Sequence, residues 1–123
     1  MSRRIQTAMI IDDDVDLTHI LAQLLEKRKM HVMEIHTLSE AEDCLGFLKP
    51  TVVFLDNSFP DGLGINFIRA IRSADEEIKI IMMTADSSNW IEKKAKAEGV
   101  DYFLKKPLNS QLINMTLDKL ESH

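Results

Sequence analysis

Four aspartates stand at positions where they could act together in chemistry. Asp12, Asp13 and Asp14 stand in a row, and Asp56 directly follows an apolar run. Carboxylates held within a few ångströms raise each other's pKa values, and a hard divalent cation such as Mg²⁺ relieves that conflict. A carboxylate can also act as a nucleophile and form an aspartyl-phosphate. These residue types suit metal-assisted phosphoryl chemistry, provided that the fold brings them together.

Two further polar residues, Thr84 and Lys106, end later apolar runs. An ammonium group supplies positive charge to phosphoryl oxygens, and a hydroxyl can donate one hydrogen bond to them. Taken alone, each residue has an ordinary structural explanation. An aspartate after a strand often caps a helix, for example, and either Asp14 or Asp16 fits that role for the first helix. The chemical interpretation therefore depends on the elements that position these residues.

Short apolar runs alternate with amphipathic stretches, which predicts five strand–helix units. We predict strands at 7–11, 31–35, 51–55, 78–83 and 102–105, and helices at 15–29, 39–48, 64–73, 90–98 and 110–120. The second strand is less apolar than the others and is expected at an edge of the sheet. Ser39 and Glu42 fit a capping box for the second helix. The fourth helix has a thin apolar stripe, which suits an element that moves.

Apolar strands joined by helices predict an α/β fold, a doubly wound parallel sheet with right-handed crossovers and helices on both faces. With the strand order 2-1-3-4-5, the polar residues that follow the first, third, fourth and fifth strands converge on one pocket. Ligands of open α/β sheets bind at this edge, outside the carboxyl ends of the strands. The predicted pocket contains Asp12, Asp13, Asp56, Thr84 and Lys106.

Composition limits the function classes. The 123 residues fit one domain, with 45% hydrophobic and 28% charged residues, as in ordinary globular proteins. No apolar run approaches the roughly 20 residues of a membrane span. Cys44 is the only cysteine, so an internal disulfide is excluded. The net charge of −5 argues against a nucleic-acid-binding surface. We expect a cytoplasmic protein.

Four segments together resemble the receiver domain of bacterial two-component response regulators, of the chemotaxis-regulator type. They are Met9-Ile-Ile-Asp-Asp-Asp14, Val53-Phe-Leu-Asp56 with Pro60-Asp-Gly62 after it, Met82-Met-Thr-Ala85, and Gly99 through Phe103 to Lys106-Pro107. The resemblance covers residues 8–120, and the order and spacing of the segments make it specific. It implies the flavodoxin-like (βα)₅ fold and a single receiver domain over residues 1–123, with no effector domain in this chain.

The resemblance implies a phosphorylation site with a metal ion. In this family, Asp56 corresponds to the phosphoacceptor. Asp12 and Asp13 correspond to the acidic pair, with Asp13 as a direct Mg²⁺ ligand and Asp12 acting partly through water. The backbone carbonyl of Ser58 corresponds to a further metal ligand, and Mn²⁺ is an alternative to Mg²⁺.

The resemblance also implies a switch. Thr84 corresponds to the hydroxyl that turns toward the phosphoryl group, and Phe103 to the aromatic side chain that then moves inward. Lys106 corresponds to the lysine that contacts the phosphate. The peptide bond between Lys106 and Pro107 is commonly cis in this family, a state that proline makes accessible.

Implied partners are a sensor histidine kinase or a phosphotransfer protein, and an unidentified output partner. The output partner would bind the face formed by the fourth helix, the last strand and the last helix. Trp90 either covers part of the sheet or belongs to this face. We expect no direct nucleic-acid or membrane binding by this chain. We also expect self-phosphotransfer and autodephosphorylation only, without turnover of external substrates.

Two alternatives differ in function class. The run Asp12–Asp14 also fits the nucleophile motif of haloacid-dehalogenase-type phosphatases, but that interpretation leaves Asp56 without a role. Turnover of a generic phosphate ester would support it. The other alternative is an interaction module with a receiver fold that never takes phosphate. The intact set of site residues argues against such a module, and failure to bind Mg²⁺ would favour it.

Overall fold

Five parallel strands form the central sheet in the part of the chain that the structure describes, residues 6–86 and 88–122. The structure is a computed structural model, and the two ends of the predicted domain, residues 1–5 and His123, lie outside the described residues. The strands are β1 (Thr7–Ile11), β2 (His31–Ile35), β3 (Val52–Asp56), β4 (Lys79–Thr84) and β5 (Tyr102–Lys105). Their order, β2-β1-β3-β4-β5, confirms the predicted doubly wound sheet, with β2 at an edge.

Five α-helices follow the strands within the described residues. They are α1 (Val15–Glu26), α2 (Leu38–Leu45), α3 (Ile68–Ala74), α4 (Asn89–Ala97) and α5 (Ser110–Glu121). A 3₁₀ turn, Gly64–Asn66, precedes α3, and the loop between β3 and this turn contains a short antiparallel pair, Ser58–Phe59 with Gly62–Leu63. No helix in the described ranges has the length and apolar character that crossing a bilayer requires.

Side chains alternate between the two faces of the sheet and build a hydrophobic cluster on each. One cluster packs the sheet against α1 and α5 through Leu21, Leu25, Ile113 and Leu117. The other cluster packs the opposite face against α2, α3 and α4 through Ala41, Ile68, Ile71 and Ala95. Every residue of β3 is buried, because this strand lies inside the sheet with helices above and below it. The helix layers therefore leave the carboxyl ends of the strands as the place for polar groups.

The start of α2 differs from the prediction. The helix begins at Leu38, and its N-cap is Thr37, whose side chain accepts a hydrogen bond from Glu40 N at 3.1 Å. The predicted capping box of Ser39 and Glu42 is therefore wrong. The Glu40 carboxylate accepts a hydrogen bond from His36 N at 3.3 Å, one residue before the N-cap. The helix also ends earlier than predicted, at Leu45.

The end of α1 also differs from the prediction. The helix stops at Glu26 rather than at Lys29, because Lys29 adopts a left-handed conformation with φ 64° that a helix does not accommodate. At the other end, Asp14 rather than Asp16 is the N-cap, and its carboxylate accepts a hydrogen bond from Leu17 N at 3.1 Å. This contact gives Asp14 a structural role, separate from that of its two neighbours.

Candidate functional site

Three carboxylates meet where β1 and β3 end. Asp12 and Asp13 follow β1, Asp56 is the last residue of β3, and these two strands pair in parallel. One carboxylate oxygen from each residue lies within 4.8 Å of the others, an arrangement that could hold a metal ion. Asp12 is 0% and Asp56 6% exposed, while Asp13 is exposed. The sequence prediction placed these three residues in one pocket, and the structure brings them together.

Lys106 reaches two of these carboxylates from the loop after β5. Its Nζ lies 2.7 Å from Asp12 Oδ2 and 3.3 Å from Asp56 Oδ1. Its backbone N–H donates to the carbonyl of Thr84 at 2.9 Å, which ties the lysine to the end of β4. The peptide bond to Pro107 is cis, as the resemblance implied. Lys106 therefore connects the ends of four strands in one site.

The charges of the site do not cancel. When all four groups are ionised, three carboxylates against one ammonium leave a net charge of −2. Oxygen ligands with this net charge suit a divalent cation of the Mg²⁺ or Ca²⁺ type. The donor set therefore fits a hard metal ion held by Asp12, Asp13 and Asp56.

The pKa values of two site residues are displaced. Burial raises the pKa of Asp56, and the nearby charge of Asp12 raises it further. The Lys106 charge and the backbone hydrogen bond at Asn57 oppose this rise without cancelling it. Burial lowers the pKa of Lys106, but the hydrogen bond to Asp12 and the charges of Asp56 and Asp12 outweigh it, so its pKa is raised. The ammonium form of Lys106 is thus favoured beside its two carboxylates.

Backbone contacts fix Asp12. Its N–H donates to the Ile35 carbonyl at 2.9 Å, and its Oδ1 accepts from Asp14 N at 2.9 Å. Its Oδ2 is the oxygen that contacts Lys106. Both carboxylate oxygens of this fully buried residue therefore have partners, as buried charges require.

The loop after Asp56 is held by two residues that the sequence analysis did not single out, Asn57 and Gly64. The Asn57 carbonyl accepts from Gly64 N at 2.8 Å, and its side-chain Oδ1 accepts from Ile65 N at 2.9 Å. A Cβ on Gly64 would lie 1.9 Å from the carbonyl oxygen of Asp56. Glycine is therefore required for this close approach. The only sequence signal was the Pro- and Gly-rich composition of the loop.

Ser58, the predicted source of a carbonyl ligand, lies two residues beyond Asp56 and opens the short antiparallel pair. It pairs with Leu63, and its side chain is exposed. Its backbone position is thus set by this small pair rather than by the main sheet.

Thr84 and Phe103 lie on β4 and β5, the next two strands of the sheet after β3, which ends in Asp56. Thr84 ends β4, is buried, and its Oγ1 accepts a hydrogen bond from Asp86 N at 3.0 Å. Phe103, on β5, is half-buried and packs on the cluster under α2, α3 and α4, with Met82 as its cross-strand neighbour. Phe103 and Ala95 of α4 thus belong to the same cluster on one face of the sheet.

Trp90 lies at the surface of α4. It is 57% exposed, whereas Ile91 and Ala95 are the buried residues of this helix. The interpretation that Trp90 covers the sheet is therefore wrong. Two buried residues over nine positions also give α4 the narrow apolar contact that the sequence predicted.

Comparison with known proteins assigns this chain to a family. The model of the response regulator receiver domain family matches residues 8–118. The chain is 32% identical over 115 residues to the transcriptional regulatory protein CitB of Klebsiella pneumoniae, covering 92% of this chain and 49% of CitB. It is also 32% identical over 99 residues to the KDP operon transcriptional regulatory protein KdpE of Escherichia coli, covering 80% of this chain and 44% of KdpE. The chain thus spans about half the length of these relatives.

Solved structures agree with this assignment. A response regulator from Burkholderia pseudomallei, crystallised with a phosphorylated aspartic acid, a calcium ion and citrate, superimposes with a TM-score of 0.87 at 26% identity, over 95% of this chain and 69% of that one. The beryllofluoride-activated NtrC4 receiver domain, a dimer in solution, superimposes with a TM-score of 0.88 at 30% identity, over 94% and 96% of the two chains.

Proposed function

Because this chain belongs to the response regulator receiver domain family, we propose that Asp56 accepts a phosphoryl group from a sensor histidine kinase or a phosphotransfer protein. The observation that carries the proposal is the contact of one ammonium group, Lys106 Nζ, with both Asp12 at 2.7 Å and Asp56 at 3.3 Å. This arrangement holds a buried carboxylate beside positive charge at the ends of the strands. The phosphorylated aspartate of the similar Burkholderia pseudomallei structure supports it.

The proposed transfer breaks one bond and forms one. An oxygen of the ionised Asp56 carboxylate attacks phosphorus, and the bond from phosphorus to the donor's imidazole nitrogen breaks. The electron pair of that bond stays on the nitrogen, which takes up a proton. Asp56 must be ionised to attack, and Lys106 favours this form against the effect of burial. Lys106 is also close enough to neutralise charge on the transferred phosphoryl oxygens.

We assign the metal site to the carboxylates of Asp12, Asp13 and Asp56 and to the backbone carbonyl of Ser58, with Mg²⁺ as the ion and Mn²⁺ as an alternative. When bound, the ion supplies positive charge to the phosphoryl oxygens and orients them for in-line transfer. Three carboxylate oxygens within 4.8 Å support the assignment. Asp12 fixes Lys106 through Oδ2, and Asp13, which is exposed, is the residue free to approach an ion from solvent.

Phosphorylation is proposed to act as a switch. The Thr84 hydroxyl must leave its hydrogen bond with Asp86 N to reach the new phosphoryl oxygens. When the Thr84 hydroxyl moves, space opens toward Phe103, and the Phe103 side chain rotates inward. Helix α4 then shifts, because few of its residues are buried. An output partner then reads the changed face of α4, β5 and α5. Phosphorylation stabilises one of two existing states, and the chain turns over no external substrate.

Intact mass after incubation with acetyl phosphate tests the proposal. We expect a gain of one phosphoryl group in Mg²⁺ that is absent without the ion and absent in Asp56→Asn. Asp13→Ala should lose the dependence on Mg²⁺. No gain in a folded protein that binds no Mg²⁺ would support the phosphate-independent interaction module instead. Turnover of a generic phosphate ester would support the phosphatase alternative.

A further inference from the structure

Asp61, at the tip of the loop after the phosphoacceptor, reaches the first turn of α2. Its Oδ1 accepts from Leu38 N at 3.3 Å and its Oδ2 from Ser39 N at 3.0 Å, across 23 and 22 residues of chain. We propose that Asp61 is a positioning residue for the metal site, because it anchors to α2 the loop that presents the Ser58 carbonyl. The inference rests on the proposed function of Asp56 and its metal ion.

The loop is held differently at its base and at its tip. At the base, Asn57 accepts hydrogen bonds from Gly64 N and Ile65 N. The middle is a pair of only two residues on each side, starting at Ser58, and such a pair is not stable by itself. The tip turns at Pro60 and Asp61. The contact with α2 therefore supplies the external support that the short pair needs.

Apolar packing at the tip accompanies the hydrogen bonds. A Cβ on Gly62 would lie 3.2 Å from Leu38 Cδ1, so the Leu38 side chain lies directly against the loop backbone. Leu38 and Phe59 both pack on the cluster beneath α2, α3 and α4. The tip of the loop and the first turn of α2 thus form one contact, with Asp61 as its polar part.

The electrostatics favour this contact. The first N–H groups of a helix have no partner within the helix, and its N-terminus carries partial positive charge. Thr37, in the same segment, accepts a hydrogen bond from one of these groups, Glu40 N. Asp61, on a distant loop, accepts hydrogen bonds from two others, Leu38 N and Ser39 N, and places a negative charge beside them. Thr37 therefore stabilises only the helix, whereas Asp61 also restrains the loop.

A restrained loop matters for a carbonyl ligand. The position of the Ser58 carbonyl depends on the backbone alone, since no side-chain rotation can correct it. Mg²⁺ requires near-ideal octahedral geometry, and removing the partners that orient its ligands commonly lowers affinity. Loss of Asp61 should therefore weaken Mg²⁺ binding although Asp61 does not contact the ion.

Calorimetric titration of Mg²⁺ into wild type, Asp61→Ala, Asp61→Asn and Thr37→Ala tests the inference. For Asp61→Ala we expect Kd to rise about tenfold, at the lower end of effects on groups that orient metal ligands. Asp61→Asn keeps one accepting oxygen and should fall between this variant and wild type. Thr37→Ala is the matched control, because it also removes a cap of α2. It should lower the urea midpoint and leave Kd unchanged.

Amide hydrogen exchange in metal-free protein provides a second readout. Asp61→Ala should accelerate exchange in residues 58–65, and Thr37→Ala should not. Unchanged loop exchange, or equal Mg²⁺ affinity in Asp61→Ala and wild type, would overturn the positioning role. Wild-type protein that binds no Mg²⁺ would remove the metal site and this role together, whereas Mg²⁺ binding that is insensitive to Asp61 would remove this role alone.

Discussion

Replacing Gly64 with alanine perturbs a close backbone approach beside Asp56, the proposed phosphoacceptor. The new Cβ would lie 1.9 Å from the Asp56 carbonyl oxygen, 3.0 Å from the Asp56 carbonyl carbon and 3.1 Å from Asn57 Cα. Ordinary contact begins at 3.4 Å, so relieving the first contact requires the two segments to separate by about 1.5 Å. All three atoms belong to the backbone, so no side-chain rotation can relieve the overlap.

The separation has an energy that can be estimated. It breaks the hydrogen bonds from Gly64 N and Ile65 N to Asn57, which are 2.8 and 2.9 Å long. Each contributes about 0.5–1.5 kcal/mol, and forcing extra volume into a packed region costs about 1–3 kcal/mol. We therefore expect Gly64→Ala to lower the free energy of unfolding by about 2–6 kcal/mol.

Urea denaturation measures this loss, with Gly46→Ala as the matched control. Gly46 caps α2 with an ordinary φ of −67° and an exposed position, and its new Cβ would lie 3.2 Å from one carbonyl oxygen. The control should change stability by less than about 1 kcal/mol.

Gly64→Ala should also slow phosphorylation by acetyl phosphate, by as much as about a hundredfold, because the shift displaces Asp56 from its reactive position. A Gly64→Ala protein with wild-type stability and wild-type phosphorylation rate would refute the idea that this contact holds Asp56.

Three further predictions concern single groups of the site. Burial and the charge of Asp12 raise the pKa of Asp56, so ionised Asp56 destabilises the folded state. Asp56→Asn should therefore have the higher urea midpoint at pH 7. Its advantage should shrink as the pH falls below the raised pKa and vanish below the ordinary pKa of an aspartate. Lys106→Met leaves the carboxylates of Asp12 and Asp56 without their cation and should lower the free energy of unfolding by about 2–3 kcal/mol at pH 7, measured by urea denaturation. The loss is smaller than for a fully buried ion pair because Lys106 is partly exposed. Added Mg²⁺ should restore part of the lost stability. Thr84→Ala should still accept the phosphoryl group but lose the change in tryptophan fluorescence that accompanies phosphorylation. The probe is Trp90, the single tryptophan, which lies on α4. A fluorescence change equal to that of wild type would show that the Thr84 hydroxyl does not relay the signal.

The inner strands of the sheet could be predicted because a strand between two helix layers is an apolar run followed by polar residues. Thr7–Ile11 has the predicted bounds, and β3 and β4 are displaced by one residue. The edge strands His31–Ile35 and Tyr102–Lys105 also have the predicted bounds, although they are only partly buried. The polar residues at the carboxyl ends of the strands form the candidate functional site. Once the strand order is given, the meeting of Asp12, Asp56 and Lys106 follows from the parallel arrangement.

The start of α2 could not be predicted in the same way. Two overlapping motifs, Thr37 with Glu40 and Ser39 with Glu42, both fit a capping box. In the structure, Thr37 is the N-cap, and the backbone N–H of Ser39 is taken by Asp61, 22 residues away. The spacing of residues near α2 gives no indication of this contact, because Asp61 lies on a distant loop. The approach of Gly64 to Asp56 was missed for the same reason, since it depends on how a loop folds back on a strand end.

The charge of the proposed site couples phosphorylation to metal binding. Before transfer, three carboxylates and one ammonium leave a net charge of −2. A phosphoryl group carries about −1.5 to −2 at neutral pH and replaces the single charge of Asp56, so the site becomes more negative by up to about one unit. We therefore expect the phosphorylated protein to bind a divalent cation more tightly than the free protein does. Because such coupling is reciprocal, we expect Mg²⁺ to stabilise the phosphorylated state to the same extent. We also expect the Lys106 ammonium to contact both Asp12 and the new phosphoryl oxygens.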